Sequence, residues 1–173
     1  ARSLRNHGEI RRYVHERVGG NFRLDTLKAA VLLAKLDHFD EFTRLRRRNA
    51  ASYTRLLAGA PVVTPRPEDH HEPVYHQYSI LADRRDELVE FLQARGVSTG
   101  IYYPVGLHLQ PCFVSLGYSP GSLPVTEEVC DRILSVPCHP MLSEADLEFV
   151  ASCVHAFYGT SGPAGGGLAE VGD

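Results

Sequence analysis

The sequence predicts an α+β chain: a long, broken N-terminal helical region, then a small sheet of roughly three strands with helices on one side. Three observations carry this. Residues 24–36 are dense in Ala and Leu, the residues that lose least entropy in a helix. Residues 74–81 and 97–103 are rich in β-formers and flank a segment with helical spacing. Two prolines, Pro137 and Pro140, force an extended run between two further helical patterns. The 173 residues fit one domain and suffice for a core that buries roughly 70% of the unfolded surface. With 43% apolar and 23% charged residues the composition is globular, which argues against wholesale disorder, collagen-like repeats and a disulfide scaffold. A net charge of −3 removes the electrostatic case for a nucleic-acid or anionic-membrane partner. No apolar run reaches spanning length, and residues 1–5 lack the apolar stretch of an export signal, so a soluble cytoplasmic protein is expected. Cys112, Cys130, Cys138 and Cys153 form no CxxC and read as reduced thiols. The lone methionine is Met141, so the reading expects further chain ahead of Ala1.

Taken in order, residues 1–20 are polar, Arg-rich and aromatic and end in Gly19-Gly20. The helix over 24–36 is apolar on every side between Ala29 and Ala34, which predicts packing on more than one face. Phe42, Ala50, Tyr53 and Leu57 keep helical spacing, with Arg46 in the missing step, and predict a second helix ending at Gly59. Residues 62–72, with Pro65 and Pro67, read as a loop, and 74–81 as a strand. Asp83 stands where an N-cap belongs, three residues before Asp86; Leu88, Val89, Phe91 and Leu92 form a helical face that Gly96 stops. A strand over 97–103 would complete a β-α-β unit. Past a loop rich in Gly and Pro, a short helix runs from Thr126 through Ile133 and Leu134, and 135–140 is extended. Ser143 with Asp146 forms a capping-box pattern, and Leu147, Val150, Val154 and Phe157 continue a last helix. From Gly159 the composition is that of a flexible tail.

Few residue sets carry chemistry. Sixteen of the eighteen cationic side chains are Arg; Lys28 and Lys35 lie one heptad apart on the Ala/Leu helix, with no sign of the pocket that a Schiff-base lysine needs. Nine histidines invite a metal reading, but His70-His71 are adjacent, and His108 with Cys112 lacks a second pair, so no metal site is assigned. The loop from Tyr102 to Pro111 follows a strand and presents two phenols, an imidazole and an amide; a ligand-facing loop and a packed aromatic turn both fit it. Gly19-Gly20-Asn21-Phe22-Arg23 ahead of a helix reads either as an anion site built on backbone amides and the helix N-terminus, or as a turn in which Asn21 bonds its own backbone. Spacing alone favours the turn. The Arg44, Arg46, Arg47, Arg48 run reads as a solvated face or a set of partners for nearby acids. No nucleophile elbow, P-loop or GxGxxG is present.

Leu4-Arg5-Asn6-His7-Gly8, residues 20–30, Arg47-Arg48 with Tyr53, Tyr75-His76-Gln77-Tyr78, residues 84–88, Gly96-Val97-Ser98-Thr99, Tyr103-Pro104 through Gln110, and Leu134-Ser135-Val136-Pro137 occur in register. In this order they resemble the DegT/DnrJ/EryC1/StrS sugar aminotransferases, from the first residue to about Tyr158. The resemblance implies the C-terminal half of an aspartate-aminotransferase-like fold. Residues 1–58 would end the large cofactor domain and supply connecting helices, 59–158 would form the small α+β domain, and 159–173 the tail. It further implies a homodimer with a shared active site, pyridoxal 5'-phosphate as cofactor, and transfer of an amino group from glutamate to a keto group of a nucleotide-linked sugar. The family's cofactor-binding lysine, its acid and its stacking aromatic lie upstream of the Asn-His-Gly segment. No catalytic residue is therefore assigned here, and the chain alone is expected to be inactive. Asn21 would reach the phosphate of the neighbour's cofactor, which reverses the preference for a turn, and Arg23 would support the same loop. His108, Tyr103 and His7 would border the sugar nucleotide. Gly106 stands where the family has proline, implying a more mobile loop. The alternative is a regulatory or assembly relative that keeps the fold and dimer surface without turnover.

Overall fold

The computed structural model describes residues 1–162. The backbone separates into two units, Ala1–Glu41 and a second that begins at Phe42. The first unit opens with an antiparallel hairpin, β1 (Glu9–Arg11) and β2 (Val14–His15), which the sequence reading did not anticipate. Its turn carries no Gly or Asn signal. Tyr13 takes a positive φ of 65° there, and its N–H donates to the Glu9 carboxylate at 2.8 Å. Helix α1 (Thr26–Leu36) is started by Asp25, whose carboxylate accepts the Lys28 N–H at 2.8 Å. Packing on more than one face was expected of this helix; none of its residues is buried in this chain. The unit's other regular element is the short hairpin, whose strands offer no buried apolar face.

Helix α2 (Phe39–Leu56) leads into the second unit and buries Asn49, Ala50 and Tyr53. Strands β3 (Val62–Val63), β4 (Tyr78–Ala82) and β5 (Ile133–Val136) form one antiparallel sheet in the order β3-β4-β5. Tyr78, Ile80 and Ala82 of β4 are buried and alternate with half-buried neighbours, the period-2 signature of a strand with one core face. Across the other face, Ser79 and Ser135 hydroxyls meet at 2.7 Å in register. Helices α3 (Arg85–Gln93), α4 (Pro124–Arg132) and α5 (Glu144–Tyr158) complete the unit, α3 packing on β4, β5 and α5, and α4 on β4. Tyr53, Tyr78, Ile80, Leu88, Leu92, Leu134, Leu147 and Val154 are the fully buried centre.

The mixed architecture with a three-stranded sheet is the one expected, but its third strand is β3, not 97–103. That later stretch makes a single antiparallel bridge, Gly100 to Ser135, through N–H···O contacts of 3.0 and 2.7 Å. The expected β-α-β unit is therefore absent: β4 and β5 are antiparallel neighbours. The strand expected from Val74 starts at Tyr78 because the Arg46 guanidinium takes the Tyr75 and His76 carbonyls at 3.2 and 3.0 Å, acceptors a ladder would otherwise use. Ile133 and Leu134 belong to β5 rather than to the preceding helix. Asp83 does not cap α3; Arg84 occupies the N-cap position, in the left-handed region with φ 56° and without a side-chain capping bond, while Asp83 pairs with Arg132 at 3.0 Å. The capping box of α5 forms as expected: Ser143 Oγ accepts the Asp146 N–H at 3.2 Å and Asp146 accepts the Ser143 N–H at 2.8 Å. Most of the expected tail, 163–173, lies outside the described residues.

Candidate functional site

In the first unit, residues 4–8 run beside 19–22. The Gly20 N–H donates to the Leu4 carbonyl at 3.0 Å, the His7 N–H to Gly20 at 3.0 Å, and the Phe22 N–H to Arg5 at 2.9 Å, with Asn6 and Asn21 bridged. Gly8 is required in this arrangement. Its φ is +76°, and a Cβ there would sit 1.7 Å from the Arg17 carbonyl oxygen. Asn21 is thereby held on a fixed backbone with an exposed side chain, and its Oδ1 accepts from Arg23 Nε at 2.8 Å. The amide oxygen faces the guanidinium, so the amide NH2 is the end that an anionic oxygen would meet, beside a permanent cation. One reading of this stretch is an anion site on backbone amides and the helix N-terminus. The Gly20 amide is already bonded, and the first turn of α1 is occupied by the Asp25 carboxylate. The Asn21–Arg23 side-chain pair is exposed. His7 lies on the same segment, exposed, with a positive φ of 59° and its carbonyl bonded to His15 Nδ1 at 3.0 Å.

The other expected site residues lie in the second unit. Tyr103 is 72% exposed, and its ring meets Tyr102 edge to face at 6.0 Å. His108 is placed differently: it is buried, in a short 3₁₀ turn (Leu107–Leu109), and its Nε2 lies 3.0 Å from Glu127 Oε1. The Tyr118 ring stands edge-on to the imidazole at 6.0 Å. Gly106 lies directly against that imidazole, so that a Cβ there would come 2.7 Å from Cε1. With φ −61° it uses no special backbone freedom, and the His108 ring lies on it.

Glu127, a residue that the sequence did not single out, stands in the first turn of α4. Its carboxylate also accepts the Gly121 N–H at 2.8 Å and the Leu123 N–H at 3.2 Å. The Gly121 amide first, then His108, hold it below the ordinary glutamate pKa. Of the arginine run, Arg47 meets an acid as expected, Glu72 at 3.3 Å, but most of the run's contacts are to backbone carbonyls. Arg46 donates to the Tyr75, His76 and Cys138 carbonyls, Arg47 to Pro73 and Glu72, and Arg48 to Asn49 and Leu142. The signal for Arg46 was its place in the apolar spacing of α2, a position that faces the fold rather than water. Neither lysine has the surroundings of a nucleophile: Lys28 is 76% exposed and pairs with Asp25 at 3.4 Å, and Lys35 is exposed in the last turn of α1. Glu68, His70 and His71 bring ligand-capable atoms within 4.8 Å of one another, but all three are exposed, and water competes at each position.

Residues 1–155 match the DegT/DnrJ/EryC1/StrS aminotransferase family. Over 160 residues the chain is 46% identical to a "Pleiotropic regulatory protein" of Geobacillus stearothermophilus, covering 91% of this chain and 43% of that protein. It is 38% identical to UDP-2-acetamido-2-deoxy-3-oxo-D-glucuronate aminotransferase of Pseudomonas aeruginosa, over 88% of this chain and 42% of the relative. Among solved structures, S. venezuelae DesV superposes with a TM-score of 0.84 at 38% identity, covering 90% of this chain and 42% of that one. The chain thus spans less than half the length of these relatives. A family match from the first residue through most of α5, on a backbone that superposes on the solved DesV structure, leads to one conclusion: the chain belongs to the DegT/DnrJ/EryC1/StrS aminotransferase family.

Proposed function

We propose that this chain is the C-terminal portion of a pyridoxal-phosphate-dependent aminotransferase that moves an amino group from glutamate to a keto group of a nucleotide-linked sugar. The observation that carries the reading is the family match over 1–155, with a relative named for a UDP-linked 3-oxo sugar. The Asn21–Arg23 pair supports it, because an amide NH2 beside a guanidinium suits a phosphate dianion. Pyridoxal phosphate, when bound, supplies the electron sink of transamination. In this reading Asn21 of one protomer donates to the phosphate of its partner's cofactor, and Arg23 orients that amide and adds charge. The exposed Tyr103 phenol borders the sugar nucleotide, with His108 acting through the loop it anchors, and the His7 ring is a further contact for that substrate. The apolar side chains of α1, among them Leu27 at 77% exposure, are surface that the catalytic domain covers in the full-length dimer. Because neither Lys28 nor Lys35 is desolvated, the chain alone is inactive and binds the cofactor poorly.

The full-length protein, supplied with glutamate, pyridoxal phosphate and a UDP-linked 3-oxo sugar, is expected to release 2-oxoglutarate. Asn21→Ala is expected to weaken cofactor binding about tenfold or more, the loss of one charge-assisted hydrogen bond. No 2-oxoglutarate from any nucleotide-linked ketosugar, or borohydride-fixed pyridoxyl on Lys28 or Lys35 of this chain, overturns the reading.

A further inference from the structure

We propose that Glu127 is the positioning residue of the aromatic rim, holding His108 and the turn at 118–123 on a single carboxylate so that the loop carrying Tyr102 and Tyr103 keeps one shape. Every residue from 111 to 126 is exposed, so this stretch has no core of its own to order it. Its second 3₁₀ turn (Pro111–Leu116) buries nothing. Two pieces of chain, the His108 turn and the turn at 118–123, nonetheless converge on Glu127. Oε1 takes His108 Nε2 at 3.0 Å from the start of the loop and the Leu123 N–H at 3.2 Å from its end, and Oε2 takes the Gly121 N–H at 2.8 Å between them.

The carboxylate itself is fixed by α4, whose first turn it occupies, and the neighbouring Glu128 is drawn off to Arg132 at 2.7 Å. On the other side His108 is wedged between Gly106 and the Tyr118 ring, so the Glu127–His108 contact joins two anchored groups. A carboxylate is needed because it accepts at both oxygens. A Gln could serve His108 with its one carbonyl oxygen, but its NH2 would then face the Gly121 N–H, donor against donor. The consequence for sugar-nucleotide binding rests on the function proposed above; the order of the loop does not.

Amide hydrogen exchange on the 173-residue chain without ligand separates the two. In Glu127→Ala the amides of Gly121, Leu123, Leu109 and Gln110 are expected to lose about ten- to a hundredfold protection, while those of β4 and β5 stay as in wild type. His108→Ala should behave alike at Leu109 and Gln110. His108→Gln, whose side-chain N–H reaches the same carboxylate, should restore most of that protection. Glu127→Gln should fall between wild type and Glu127→Ala. Unchanged loop protection in Glu127→Ala overturns the proposal. So does His108→Gln exchanging as fast as His108→Ala, which would assign the effect to ring packing. Loss of β4 and β5 protection in both Glu127 variants would make the carboxylate a support of the whole sheet and would also overturn it.

Discussion

Arg46 illustrates how a charged residue earns an interior-facing position in a helix otherwise lined by apolar contacts. Its guanidinium satisfies three backbone carbonyls, those of Tyr75, His76 and Cys138, which lie on two segments far apart in sequence. Arg46→Ala is expected to cost about 2–3 kcal/mol, since carbonyls near the core lose an ionic donor, and Arg46→Lys should recover only part, because an ammonium cannot span the fork. Urea denaturation followed by circular dichroism checks both; a variant within 0.5 kcal/mol of wild type, about the noise of a surface substitution, would show that water replaces the guanidinium. Asn49 acts in the same place, fully buried, with its NH2 on the His139 carbonyl at 2.8 Å. At Glu127 the sign of the pH effect follows from a depressed pKa. The unfolded carboxyl titrates near 4.5 and the folded one lower, so its contribution is complete above that value and disappears as pH falls through the folded pKa. Acid unfolding of Glu127→Ala should accordingly lack part of the wild-type stability loss below pH about 4.5, and parallel acid limbs would contradict the assignment.

At the scale of elements, helices were read from local signals and the sheet was not. Helix α5 announces itself through a capping box and a 3.6-residue apolar period, both of which depend on residues within one or two turns. Ser143→Ala should therefore lower stability by about 1 kcal/mol, the usual loss of a cap, measured as a shift in the thermal midpoint. Leu88 of α3 is fully buried between the sheet and α5, so Leu88→Ala is expected to cost about 2–5 kcal/mol by opening a cavity. A loss below 1 kcal/mol, far short of a core truncation, would mean that this face repacks. The stretch 97–103 has the composition of a strand and makes one bridge, because pairing needs a partner edge and only Ser135 presents one. Val62-Val63, dismissed as the start of a loop, pairs with Leu81 and Ala82 for the converse reason: the edge of β4 is there.

Across the molecule, the buried phenols and thiols set the alkaline limit. Burial pushes Tyr53 far above the ordinary value of 10.0 and raises Tyr78 as well, and it lifts the Cys138 and Cys153 thiols above 9.0. The unfolded chain ionises first, so stability is constant below pH about 9 and falls as pH rises toward the folded values. A thermal midpoint that stays level from pH 8 to 11, a range spanning these ordinary values, would mean the groups are hydrated in the folded protein. How much could be read without coordinates follows from the range of each force. The capping box of α5, the apolar faces of the second unit's helices, the mixed fold and the family were legible, because propensity, capping and the order of motifs are properties of neighbouring residues or of the string itself; the cap expected at Asp83 was the exception. Asn21, Arg23, Tyr103 and His108 were singled out from the sequence, but only folding showed that Asn21 spends its oxygen on Arg23 and that His108 turns inward to Glu127. Partners within the β3-β4-β5 sheet, the carbonyls gripped by Arg46 and the His108–Glu127 contact join residues 18 to 92 positions apart. Such pairings are selected by which polar groups the collapsed chain would otherwise leave unbonded, and that is a property of the packed whole.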